Sequence, residues 1–502
     1  MATVFEALAR GNFRSTAERV QTVRELIDSG ERAGLGQWLD ELLPAEKLVP
    51  EVYGKWRPLV RDGLKFLICR LSAARLAPKI VEQLELAEGT PAEIRLLRLI
   101  ARMPALQKLG QVLARNRHLA PPLRAALTLL ENAITDVRAE EIGTVVRAHL
   151  GSRLDEHEVE IEPSILSEAS VSALLGFTWR NPANARRESG VFKVLKPHIR
   201  DCFAEDLELF RQLADFLAAS ERNYGFDPGG ARETLADVCD LLQHEVDFPR
   251  EQETLEAAHR VWRGLAGARV PRLIRPLCGS DVTAMTRERG VKITEVFPDS
   301  PALRERVAAQ LIEALICTPL FGTAEERMFH ADPHAGNLLY DEERGEVVIL
   351  DWALVERVSA EQVRQLVLLV MLLALRDTAG ASAVLAELAG GSEAMIRDRV
   401  GEFLRALSLW HLPGSGDLMR LLDGLALDGV RFPAPLLMLR KALFTLDGIL
   451  EDLAGSRVTM DAVIARWLAA RWPTLGLRLP LAPFDWWTLN WSALWYAPRL
   501  WA

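Results

Sequence analysis

Apolar residues return every three or four positions up to about Glu88, as at Val20, Val23, Leu26 and Ile27. This spacing predicts amphipathic helices, broken at Leu43-Pro44 and at Arg57-Pro58. The helical pattern continues from Pro91 to about Leu150. From about Val159 to Glu295, shorter runs rich in β-branched and aromatic residues predict a strand-rich layer. One long helix from Ile199 to Ser220 interrupts it, with Ile199, Phe203, Leu207, Phe210, Leu213 and Leu217 on one packing face, and the loop Asn223 to Gly230 ends it. Within the layer, Arg180 to Ser189 reads as a loop leading into the strand Gly190 to Lys196. From about Val296 helices resume, except for one hairpin. In it, Leu338-Leu339-Tyr340 and Val347 to Leu350 are strands joined by the polar turn Asp341 to Gly345. The chain thus divides into a helical segment 1–155, a strand-rich lobe 156–295, a helical lobe 296–465 and a tail 466–502.

At 502 residues, with 49% hydrophobic and 26% charged, the chain can bury a large core in more than one substructure. A net charge of −9 offers no basic field for nucleic acid. The five cysteines are odd in number and lack C-x-x-C spacing, which predicts neither a disulfide framework nor a zinc site and fits thiols in a reducing compartment. Met1 to Glu25 mixes acidic and basic residues without the apolar stretch of a secretory signal. The longest apolar run, Leu366 to Leu375, is bracketed by Arg364 and Arg376 and falls well short of a bilayer span. The expectation is a cytoplasmic protein with no transmembrane span. More than half of the 13 tryptophans fall from Trp467 onward, interleaved with Pro473, Pro480, Pro483 and Pro498. Such a tail suits packing onto the protein itself, contact with a partner protein or apolar ligand, or peripheral contact with a membrane.

The hairpin carries the chemistry. Phe329-His330-Ala331-Asp332-Pro333-His334-Ala335-Gly336-Asn337 precedes it and Asp351 follows it. A triphosphate bound with a divalent metal needs hard oxygen ligands, plus a carboxylate that orients the attacking oxygen. Asp332 and Asn337 have the D-x-x-x-x-N spacing of a kinase catalytic loop, and the hairpin returns Asp351 beside Asn337 as a second metal ligand. A phosphate-binding lysine is also required. Lys193, in Gly190-Val191-Phe192-Lys193, stands in that context, with Lys196 the alternative three residues on. Glu245, Asp247 and Glu251 place carboxylates at the start of a helical segment, where any of them could simply favour the helix's positive end.

These motifs together resemble the UbiB/AarF family of atypical, protein-kinase-like kinases and ATPases. The resemblance runs from about Val20 to about Leu453 and adds Lys108-Leu109-Gly110-Gln111 as the family's K-x-G-Q signature, Glu245, Asp247 and Glu251 as its E-x-D element with a following Glu, and the A-D-P-H-P-G-N catalytic loop, here with Ala335 in place of the second proline. It implies an α+β, bilobal, atypical protein-kinase-like fold, with a large helical N-terminal extension carrying K-x-G-Q and a helical C-lobe. ATP and magnesium are the implied cofactors. Lys193 would contact the phosphates with Glu251 as its helix partner, and Ala169 and Ser170 would belong to the loop over the nucleotide. Lys108, close to Glu245, and Gln111 would cover the place where a peptide substrate binds. The implied role lies in handling or biosynthesis of an isoprenoid or lipid-like molecule.

Some positions depart from that pattern. Ser167 to Leu174 keeps little of the family's alanine-rich loop, and Glu168 would repel phosphates unless it faced solvent or a metal. The metal loop reads Asp351-Trp352-Ala353, with an indole in place of a phenyl ring and an alanine in place of the flexible glycine. Three functions follow for comparison: an ATP-dependent phosphotransferase or ATPase, a nucleotide-binding pseudokinase scaffold that grips a partner with its tail, and a small-molecule phosphotransferase. K-x-G-Q and the Glu245, Asp247, Glu251 element argue against the last.

Overall fold

The computed structural model describes residues 13–475 apart from 31, 33, 50, 52–53, 55–56, 108–136, 220–234, 237–238, 241, 297–299, 323–326, 390–392, 409–410, 412 and 431, with the backbone alone at 427 and 472–475. These residues form two compact units. The first runs up to Phe248 and includes Ile274–Met285, and the second comprises Pro249–Leu273 and the chain from Thr286 onward.

In the first unit the amphipathic spacing becomes a layer of helices. Thr16–Asp28 buries Val23 and Ile27 against Ala73–Glu85, and Ser15 caps it by accepting from the Glu18 N–H at 3.2 Å. Pro58 marks the break its spacing suggests, since the helix Ala45–Leu48 ends before it and a new one begins at Arg57. It sits in the first turn of Arg57–Arg70, where a missing N–H has no intrahelical partner to lose. Pro197–Ala219 turns Leu207, Phe210, Leu213 and Leu217 into this helical core, and Phe203 packs against it. Ile199 instead joins Val171, Leu195 and Phe248 in a separate small cluster. A buried ion pair ties the layers, with Arg75 at 2.7 Å from Asp206 and 3.1 Å from Glu205.

Ten strands are described, in chain order: β1 Glu160–Glu168, β2 Ser172–Asn181, β3 Arg186–Leu195, β4 Ala268–Arg269, β5 Val282–Thr286, β6 Val291–Lys292, β7 Met328–His330, β8 Leu338–Asp341, β9 Glu346–Ile349 and β10 Val355–Arg357. The first unit's sheet has the order β1-β2-β3-β5. Residues Arg180 to Ser189, read above as a loop, instead extend β2 and β3 into one hairpin with Asn181 opposite Arg186. The turn is made by side chains: Asn181 Oδ1 accepts from the Ala183 N–H and Asn184 Oδ1 from the Arg186 N–H, each at 2.9 Å. The strand ends are polar because they lie at the exposed rim, where Arg180 pairs with Glu158 and Arg187 with Glu160. Further in, Phe177 and Phe192 stack at 3.9 Å. Gly190 faces Phe177 across the hairpin, and a Cβ there would lie 2.3 Å from the ring.

The second unit holds the predicted hairpin, in a sheet of order β4-β9-β8-β6, beside the two-stranded pair β10-β7. Its turn forms because Asp341 Oδ1 accepts from the N–H groups of Glu343 and Arg344, and Gly345 takes a φ of +67°. Arg269, on β4, fixes the hairpin by reaching Asp341 at 2.7 Å, Glu346 at 2.8 Å and Glu288 at 2.6 Å. Burial works upward on the Asp341 carboxyl, but Arg269 and the turn N–H groups hold it below the usual carboxylate range. Gly290, at φ +152°, lies against β8, where a Cβ would stand 2.8 Å from the Tyr340 carbonyl. Beyond β10, Ser359 and Gln362 form a capping box that starts the helix Ala360–Ala374. Leu368, Leu369, Leu372 and Leu373 of that helix are buried, so the apolar run around them is a core segment. Among the described residues no helix is long and apolar enough to cross a membrane.

Lys79 is the most exacting polar group in the helical layer. Its ammonium donates to the carbonyls of Leu99 at 2.7 Å and Ala101 at 2.5 Å, at the end of the helix Ala92–Ile100. Burial, aided by Arg75, lowers its pKa to about 8 from 10.5. Between these two values the unfolded chain binds more protons than the folded one, so this lysine makes stability rise with pH there; below about pH 8 both states are charged and the burial cost stands in full. Urea unfolding at pH 7.5, 9 and 10 should show that rise in the wild type, and Lys79→Met should lack it.

Candidate functional site

The buried strand β7 delivers His330, whose ring joins two loops. Its Nε2 lies 2.7 Å from the Asp351 carbonyl and 3.0 Å from the Leu350 carbonyl, so Nε2 carries the proton and donates. Its Nδ1 is then the acceptor for the Asp332 N–H, at 3.2 Å. The Asp332 carbonyl in turn accepts from the His334 N–H at 2.8 Å and from Asn337 Nδ2 at 3.2 Å. The hairpin closes the circuit, because Leu338 pairs with Ile349 and the Leu350 N–H donates to the Asn337 carbonyl at 2.8 Å. Asp332, Asn337 and Asp351 are therefore brought together by backbone bonds. Asp332 and Asn337 are buried, whereas Asp351 is exposed.

Asp351 has a φ of +53°, a conformation that costs a non-glycine residue on the order of 1–2 kcal/mol. The next residue holds it there. Trp352 is buried, with its Nε1–H donating to the Ile349 carbonyl at 3.1 Å, and its ring meets Trp262 and His330 edge-on at 5.0 and 5.2 Å. The Thr254 hydroxyl, on the helix Phe248–Val261, donates to the Trp352 carbonyl at 2.7 Å. Ala353 is not among the described non-glycine residues with positive φ, so the absent glycine carries no backbone penalty in this conformation. Its N–H reaches Asp351 Oδ1 at 3.4 Å.

The donor set fits magnesium. Asn337 turns its amide N–H toward Asp332, which leaves Oδ1 as the side able to take a cation, and the exposed Asp351 follows the strand that returns beside Asn337. Two hard oxygens suit an ion that keeps its waters and shares phosphate ligands. Among the described residues no group of three or more His, Cys, Asp or Glu gathers as a metal site of its own.

The remaining site residues divide between the units. In the first, Lys193 lies on β3, buried, with Nζ 5.8 Å from the centre of the Phe248 ring. Ala169 and Ser170 form the turn between β1 and β2, where the Ala169 N–H donates to the Ser172 carbonyl at 2.8 Å and Ser170 is buried. Glu168 is turned away from solvent, its side chain only 7% exposed. It lies 3.1 Å from the ammonium of Lys196, which is fully buried, so the alternative lysine serves as counter-ion to the carboxylate that seemed out of place. Glu245 is half-buried in the short helical stretch 242–246. Glu251, buried in the first turn of Phe248–Val261, belongs to the second unit. Lys108 and Gln111 lie outside the described residues, as do the side chains of the tail beyond Arg471.

One residue of the site has no signal in the sequence. Lys441, on the helix Ala434–Ala454, places its Nζ 3.1 Å from Asp332 Oδ1. A lysine next to an arginine in a long helix reads as a solvated pair, and only tertiary packing gives it this neighbour.

Comparison with known proteins bears on the family. A family model described as "ABC1 atypical kinase-like domain" matches residues 129–385. A "Probable protein kinase UbiB" of Xanthomonas campestris is 26% identical over 265 residues, 51% of this chain and 47% of the relative. An "Uncharacterized aarF domain-containing protein kinase", chloroplastic, of Arabidopsis thaliana is 31% identical over 290 residues, 55% of this chain and 50% of the relative. The chain thus matches about half the length of these curated relatives. The solved "complex structure of Rv3197-erythromycin from Mycobacterium tuberculosis" aligns with a TM-score of 0.47 at 16% identity, covering 71% of this chain and 89% of that one.

Because Trp352 is gripped on three sides, Trp352→Ala should lower the unfolding free energy by about 3–5 kcal/mol. Trp352→Phe, which keeps most of the packing and loses the bond to Ile349, should cost less than half of that. Urea denaturation followed by far-ultraviolet circular dichroism checks both, and equal losses would show that the ring contacts contribute little.

Proposed function

Since the chain belongs to the ABC1 atypical kinase-like family, that of the UbiB and aarF-domain kinases, we propose that it binds ATP with magnesium and transfers or hydrolyses the terminal phosphoryl group. The observation that supports this most directly is the His330 bridge, which links the backbone of Asp332 to that of Asp351 beside Asn337. In this reading Asp332 orients a substrate hydroxyl or water by accepting its hydrogen. Asn337 Oδ1 and the Asp351 carboxylate hold magnesium, which would neutralise phosphate charge. Lys193 binds phosphate oxygens with Glu251 as its partner, and the turn at Ala169 and Ser170 lies over the nucleotide. Lys108, Gln111 and Glu245 restrict access by peptide substrates. The lysine counter-ion of Glu168 supports this assignment, because it removes an unbalanced negative charge from the turn. From family likeness the role lies in handling or biosynthesis of an isoprenoid or lipid-like molecule.

Mg-ATP should raise the melting temperature of the purified protein. ADP should be released, faster with lipid vesicles than without. Asp332→Asn should lower kcat by about 100-fold or more while the thermal shift persists. A shift with no ADP would assign a nucleotide-binding scaffold instead, and phosphate on a small hydroxylated compound a small-molecule phosphotransferase. Absence of any shift would remove the nucleotide site altogether.

A further inference from the structure

We propose that Lys441 is a positioning residue for Asp332, an ammonium supplied from a distant helix to orient the carboxylate and balance its charge. The inference rests on the nucleotide reading above and assigns it a residue beyond the family match, which ends at residue 385. Its basis is geometric. The helix Ala434–Ala454 is anchored by Leu436, Leu439, Leu443 and Leu446 and packs against β10, the strand paired with β7, which leads directly into Asp332. Its two adjacent cations serve different carboxylates: Arg440 pairs with Asp423, and Lys441 reaches Asp332 Oδ1 at 3.1 Å.

The catalytic loop makes such a cation useful, since Pro333, His334, Ala335 and Gly336 bring no lysine or arginine between Asp332 and Asn337. With Asp351 close by and a triphosphate to be accommodated, an uncompensated Asp332 would face like charge on two sides. An ammonium on Oδ1 limits the rotation of the carboxylate, so the acceptor oxygen meets the attacking hydroxyl in one orientation. A surface ion pair would contribute little, but here the Asp332 side chain is only 11% exposed, against 35% for Lys441. The lysine therefore spans from solvent to a buried acid.

Two measurements test this. Brief treatment with an amine-acetylating reagent, read at Lys441 by peptide mass spectrometry without nucleotide, should go about three times faster or more in Asp332→Asn, because the ion pair protects the amine. An unchanged rate overturns the contact. In Mg-ATP turnover, Lys441→Met should lower kcat about 10- to 100-fold with KM for Mg-ATP within about twofold, and Lys441→Arg should stay within about fivefold of wild type. Equal loss in both variants, or a loss seen in KM alone, overturns the positioning role. If the wild type shows no thermal shift with Mg-ATP, the nucleotide reading fails and the positioning role with it, while the labelling result still reports whether the pair exists.

Discussion

His330 can donate from Nε2 to the carbonyls of Leu350 and Asp351 only with Nδ1 left as an acceptor, and that nitrogen is the one the Asp332 N–H requires. A single neutral ring in one tautomer thus sets the spacing between the two acidic loops. A doubly protonated ring would oppose the Asp332 N–H with a second donor, and a ring turned over would lose both carbonyls. The Trp352 and Trp262 rings packed beyond it restrict such a turn, so apolar packing selects the hydrogen-bonding pattern and the pattern selects the geometry of the acids.

Charge is handled locally throughout a chain whose net charge is −9. Arg269 gathers three carboxylates around the hairpin, Lys196 meets Glu168 in the first unit's sheet, Arg75 holds Asp206 in the helical layer, and Lys441 stands on Asp332. Buried pairs of this kind are weak sources of net stability, because desolvation offsets most of the attraction; what they do strongly is penalise any arrangement that parts them. For a protein that is to hold phosphates, that property serves placement. Near the proposed site, Asp332 and Glu168 each have such a cation.

Local pattern made the helices, the β8–β9 hairpin and the D-x-x-x-x-N loop legible in the sequence, because periodicity, turn chemistry and short spacing are properties of neighbouring residues. The face of Pro197–Ala219 was readable for that reason, as was the return of the hairpin toward Asn337. The extension of β2 and β3 through Arg180 to Ser189 was not, since polar residues at an exposed strand rim alternate with nothing apolar. Pro58 was legible as a helix boundary because a proline is tolerated in a helix's first turn and not in its interior. Lys196 and Lys441 were illegible as partners of Glu168 and Asp332, since each pairing is set by how distant segments pack, not by anything beside the lysine. Charge pairs at long range follow from the fold and do not announce it.

The Asp351-Trp352-Ala353 loop shows how a departure in sequence need not be a departure in backbone geometry. Replacing a flexible glycine by Ala353 would matter if that residue carried the unusual backbone, but the positive φ belongs to Asp351, two residues earlier in the chain. The strain there is opposed by the His330 bond to its carbonyl and by the burial of Trp352. An indole in place of a phenyl ring adds a donor as well as area, and that donor is used on Ile349 at the end of β9. The substitution therefore couples the loop to the hairpin more tightly, which favours a fixed acid over a loop that swings.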